Sequence, residues 1–162
     1  GLSDVIETAG PKKQSEISRL QREAHALLVL GRPSTMRGYE LFVGAKLFGY
    51  LKAGRPIVGV LPSDETRKVL QRVGVRTVAD VDSVQEITMV LREVVDHWAK
   101  GTLGSLVPDK KACEAYSSER QTAVLVRALE GLSPEEPFVP GAQAIPPSLQ
   151  ATIENEEWLA RT

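Results

Sequence analysis

Apolar residues along this chain alternate between short unbroken runs and helix-spaced stripes. Ala26-Leu27-Leu28-Val29-Leu30 is a five-residue apolar run closed by Gly31 and Pro33, and Ile57-Val58-Gly59-Val60-Leu61 is a second one entered from Pro56. Runs this short suit strands covered on both faces of a parallel sheet better than buried helices. The first is expected to be central in its sheet. Helical stripes fall around them. Ile17, Leu20 and Ala24 follow Ser15 as a candidate N-cap, with Arg19, Gln21, Arg22 and Glu23 on the opposite face. Ala45, Leu47, Phe48 and Leu51 form another stripe that ends near Gly54, after a polar loop from Arg32 to Glu40 with Gly38 inside it. A third, Val69, Leu70 and Val73, is predicted to start at Ser63 as cap and to leave through Gly74, with Asp64 and Glu65 near its positive end.

The flanks extend this alternation. Val5-Ile6-Glu7 reads as a short strand before the turn pair Gly10-Pro11, and Val75 to Val78 as an edge strand. The predicted order is βαβαβαβ, which calls for right-handed crossovers and a mostly parallel sheet with helices on both faces. Val84, Ile87, Leu91, Val94, Val95 and Trp98 recur at three- and four-residue steps and predict a long helix packed on that sheet. A further helix is expected from Ser118, with Gln121 at capping-box spacing, to Gly131. The texture then changes: residues 133–147 hold five prolines, and Ile153, Glu154, Glu157, Trp158 and Leu159 suggest a last amphipathic helix. That helix either crosses to another domain, with Trp158 as an anchor, or packs on its own. The organisation expected is a Rossmann-like unit over 1–131, a Pro-rich connector over 132–147 and a helical tail over 148–162.

Composition narrows the function classes. With 162 residues, 42% hydrophobic, 25% charged and a net charge of -1, the chain reads as one soluble core with no bias towards nucleic acid or anionic lipid. No apolar run approaches the ~20 residues of a membrane span, and the start Gly1-Leu2-Ser3-Asp4 lacks a signal-peptide pattern. The absence of an initiator Met suggests a polypeptide that extends upstream. Cys113 is the one cysteine and is expected to be a small buried side chain. Neither GxGxxG nor GxxxxGK[ST] is present. His25, His97 and Cys113 lack metal-ligand spacing, so no metal is expected, and both histidines read as structural.

The stretch Lys46-Leu47-Phe48-Gly49-Tyr50-Leu51-Lys52-Ala53-Gly54-Arg55-Pro56-Ile57-Val58 resembles the "K-l-f-E-Y-l-a-a-G-r-P-i-v" segment of family 4-like glycosyltransferase C-terminal domains. Glu23-Ala24-His25-Ala26-Leu27-Leu28-Val29 resembles the "ADvll" junction that precedes it in that family, and Gly10-Pro11 its glycine turn. The resemblance covers about residues 4–131. It implies a GT-B fold, in which two Rossmann-like domains face across a cleft and the C-terminal one holds a nucleotide-diphosphate sugar. This chain would be the distal part of that domain. The intact enzyme would then be a hexosyltransferase-type enzyme of polysaccharide biosynthesis, transferring the sugar with retention to a glycan, lipid or small-molecule acceptor. The N-terminal GT-B domain would supply the acceptor site and any contact with a membrane surface, the setting would be cytoplasmic or membrane-peripheral, and no cofactor is implied beyond the donor.

Open parallel sheets bind ligands outside the carboxyl ends of their strands, so the loop from Gly31 to Phe42 and a helix beginning near Val43 or Gly44 are the expected crevice. Free amides and the positive end of that helix suit a diphosphate, Gly44 permits close approach, and Lys46 adds charge unless it is simply a solvated lysine. The candidate donor site is therefore Gly10, Glu40, Val43, Gly44 and Lys46, with no catalytic residue assigned. Two glutamates of the family pattern are missing, because its positions fall on Leu41 and Gly49. Glu40 either substitutes for the first or is a solvated loop residue. The family's phosphate-clamping basic pair would lie upstream of Gly1, so the chain alone is expected to lack transferase activity. The alternatives are a degenerate, non-catalytic GT-B domain acting in assembly or binding, and an enzyme like a nucleotide-sugar epimerase.

Overall fold

The computed structural model describes residues 4–129 except 34, 36, 37, 39, 40 and 42. Within them the chain runs α1 (Gln14–Glu23), β1 (Leu27–Leu30), α2 (Lys46–Ala53), β2 (Ile57–Leu61), α3 (Glu65–Arg72), β3 (Val78–Asp80), α4 (Val84–Ala99), a 3-10 turn (Leu103–Leu106), α5 (Lys110–Glu114) and α6 (Ser118–Leu129). The three strands form a parallel sheet in the order β1-β2-β3, with Leu27 opposite Ile57 and Gly59 opposite Val78. Parallel neighbours need crossovers, and α2 and α3 provide them. The architecture is α/β, with helices flanking a parallel sheet.

Side-chain alternation along β2 divides the core in two. Ile57 and Leu61 join Leu47 and Leu51 of α2, Val69 and Leu70 of α3, and Val73. Val58 points the other way, where Ala79 of β3 and Val90, Ile87 and Val94 of α4 cover it. Each fully buried Leu or Ile here contributes about 1.5–3 kcal/mol relative to exposure. All five β2 residues are buried, as expected of a strand sandwiched between helix layers.

The punctuation works through identifiable backbone groups. Gly54 takes the left-handed conformation (φ 64°) that ends α2, and Pro56 then holds the chain extended into β2. At the end of α3, the Val75 amide donates to the Leu70 carbonyl (2.9 Å) and the Gly74 amide to Gln71 (3.0 Å), with Gly74 at φ 82°. This double closure is a Schellman turn, and it explains one correction: Val75 is consumed in capping α3, so the third strand is Val78–Asp80 rather than 75–78. Thr77, 1% exposed, donates its hydroxyl to the Ile57 carbonyl (2.6 Å) and pins the entry of β3 to that of β2.

Other expectations are revised. Val5-Ile6-Glu7 is not a strand; Val5 and Ile6 are 77% and 63% exposed, and no described strand offers them a ladder partner. β1 is an edge of the described sheet and β2 is central. Leu27 and Val29 enter the core, whereas Leu28 and Leu30 on the opposite face remain 47% and 68% exposed, so β1 is covered on one face only. The α4 stripe divides likewise: Ile87, Val90 and Val94 meet the sheet, and Leu91, Val95 and Trp98 stay exposed beside it. The Trp98 ring meets His25 edge-on, with centroids 6.1 Å apart. The caps move by a residue or two. Asp64 rather than Ser63 caps α3 by accepting from the Arg67 amide (2.8 Å), α1 begins at Gln14 with no side-chain cap, and the Ser117 hydroxyl accepts from the Arg120 amide (3.1 Å) at the start of α6. The Pro-rich connector and the tail with Trp158 lie outside the described residues.

Candidate functional site at the carboxyl edge of the sheet

The carboxyl ends of β1 and β2 are drawn close together by Gly31. Its amide donates to the Val60 carbonyl (2.8 Å), continuing the ladder one residue past β1. A Cβ there would stand 2.6 Å from Pro62 Cδ and 3.2 Å from Leu61 Cα, so only glycine fits. From this point the chain leaves the sheet and returns through Val43 and Gly44 into α2.

α2 starts at Lys46, two or three residues later than the sequence suggests. The Leu47 amide donates to the Gly44 carbonyl (2.9 Å) and sets the first turn, and Ala45 as N-cap supplies no side-chain acceptor. The first-turn amides of α2 therefore receive no side-chain cap from their N-cap residue, and no acidic residue occupies that turn. Because α2 connects two parallel strands, its N-terminus lies at the carboxyl edge with its partial positive charge. Lys46 is exposed and forms no ion pair among the described residues; Gly44 is half-buried, and Val43 is half-buried with its side chain packed on the core. Val43 can therefore offer a ligand its backbone only.

Gly10 is exposed, in a left-handed turn (φ 65°) ahead of α1. The guanidinium of Arg55, at the amino end of β2, donates to the Arg22 carbonyl near the end of α1. That bond fixes the C-terminus of α1 at the amino edge, so its ten residues run back from the carboxyl edge over about 15 Å. Gly10 enters α1 from that side, although no hydrogen bond among the described residues joins it to 43–46. Glu40 lies outside the described residues. The structure thus brings Val43, Gly44 and Lys46 together and leaves Gly10 in a separate turn.

Arg67 was not anticipated at this edge. From the first turn of α3 it donates to the Leu61 carbonyl (3.2 Å) and stands 3.8 Å from an Asp80 carboxylate oxygen, spanning the ends of β2 and β3. Asp80 also accepts from the Asp82 amide (2.9 Å), and its own amide donates to Glu86 (2.8 Å). These bonds close the turn that follows β3. The thirteen-residue separation of Arg67 and Asp80 gave no signal in sequence, because they meet only when β2 and β3 pair.

The two positions of the absent glutamates are informative. Leu41 is 85% exposed in the loop. At Gly49 a Cβ would meet the side-chain amide of Gln21 from the neighbouring helix α1 at 3.4–3.6 Å. Gly49 also borders a cleft of about 370 Å³ between α2 and α5–α6, lined by Phe48, Leu51, Cys113 and Tyr116 with Lys52 and Glu119 at its mouth. α5 is anchored by the Asp109 amide on the Val73 carbonyl (2.8 Å), beyond the end of α3. Burial, then the nearby Asp109 carboxylate, pushes the Cys113 thiol up to about 11 and makes it a poor nucleophile at neutral pH.

Among the described residues, no group of three His, Cys, Asp or Glu could hold a metal ion, and no helix is long and apolar enough to cross a membrane. No protein-family model, curated protein or solved structure matches the chain.

Proposed function

We propose that this chain is the distal part of the donor-binding domain of a GT-B glycosyltransferase, and that the diphosphate of a nucleotide sugar binds at the start of α2. The observation that carries this reading is the fold of the resembling segment. Lys46–Val58 forms a helix, a left-handed glycine and a buried parallel strand, with the helix N-terminus at the carboxyl edge and no side-chain cap from its N-cap residue Ala45. A diphosphate needs converging amides and positive charge, and the 44–46 amides with Lys46 offer both. Arg67, fixed between Leu61 and Asp80, places a guanidinium at the end of the neighbouring strand β2. The intact protein would supply the acceptor domain and the remaining phosphate contacts, and a glycan, lipid or small molecule would receive the sugar.

A degenerate, non-catalytic domain is the second reading, and Gly49 favours it. With glycine at 49 where the resembling family has glutamate, the ribose hydroxyls lose a charged acceptor, worth on the order of 1.5–3 kcal/mol. Calorimetric titration with uridine and guanosine diphosphate sugars separates the two. The donor-site reading expects measurable binding that weakens three- to tenfold in Lys46→Ala, on the order of 1 kcal/mol, and weakens further with salt. Equal affinity in the variant removes Lys46 from the site, and no binding at millimolar ligand supports the degenerate reading.

A further inference from the structure

We draw no further inference here: the strongest candidate, the apolar surface formed by Leu28 and Leu30 on the edge strand β1 and by the Leu91, Val95 and Trp98 flank of α4, carries nothing because nothing in the structure shows what covers it.

Discussion

Replacing Gly31 by alanine tests the close approach of β1 and β2 that shapes the carboxyl edge. The added Cβ would sit 2.6 Å from Pro62 Cδ, 3.0 Å from Leu61 Cδ2 and 3.2 Å from Leu61 Cα. None of these neighbours yields easily. The Pro62 ring is rigid, Leu61 is 1% exposed in the core, and its Cα belongs to the central strand. Relief requires the chain at residue 31 to move outward, which stretches the 2.8 Å bond from its amide to Val60. Overpacking of this kind costs about 1–3 kcal/mol, and the strained hydrogen bond adds a fraction of the ~1 kcal/mol a typical one contributes. For a domain of this size each kcal/mol lowers Tm by roughly 3–6 °C. Urea unfolding followed by far-ultraviolet circular dichroism should show a lower midpoint with an unchanged slope. Gly104→Ala is the control, since its Cβ would meet nothing within 4 Å and its backbone is not left-handed; it should stay within about 0.5 kcal/mol. Equal stability of the two variants would refute the packing described at the β1–β2 exit.

Two further outcomes follow from groups away from the edge. Thr77→Val keeps the buried volume but removes the donor to the Ile57 carbonyl, and should cost about 1–3 kcal/mol in the same unfolding assay; a neutral effect would mean the hydroxyl is not needed there. The Cys113 thiol, raised to about 11 in the folded protein against an ordinary value of 9.0, should react slowly with iodoacetamide near neutrality and faster as pH climbs towards 11. Because the folded state holds this proton more tightly than the unfolded one, the linked stabilisation is complete below about pH 9 and is lost as pH rises through 11. Alkylation at pH 7.5 as fast as that of the urea-unfolded chain would contradict the burial that raises it.

Much of the layer arrangement is legible in the sequence. Residues 27–30 and 57–61 announce themselves as strands because unbroken apolar runs of that length have few other uses, and α4 because a 16-residue stripe repeats its period several times. Failures came where a local signal had two outlets. Val75 is apolar and follows Gly74, which suits a strand start, yet its amide is needed to close α3. Ser63 and Asp64 are both good caps, and geometry selected the second. Val5-Ile6 has strand composition without a neighbouring strand among the described residues to pair with. At the candidate site, Val43, Gly44 and Lys46 were placed by the rule that α/β crevices open at strand carboxyl ends. Arg67 was invisible because its contacts with Leu61 and Asp80 are tertiary, and the Gln21–Gly49 contact likewise depends on α1 lying against α2. Exposure of Leu28, Leu30 and Trp98 was equally hidden, since an apolar run declares that it can be buried and not what buries it.

The donor-site proposal is tested most directly by mapping backbone amides in isotope-labelled protein during titration with uridine or guanosine diphosphate sugars. Saturable shifts are expected to concentrate at Val43, Gly44, Ala45 and Lys46, with smaller ones at Gly10 and Arg67. Shifts confined to the cleft around Cys113 and Tyr116, or a spectrum that does not change, would contradict it.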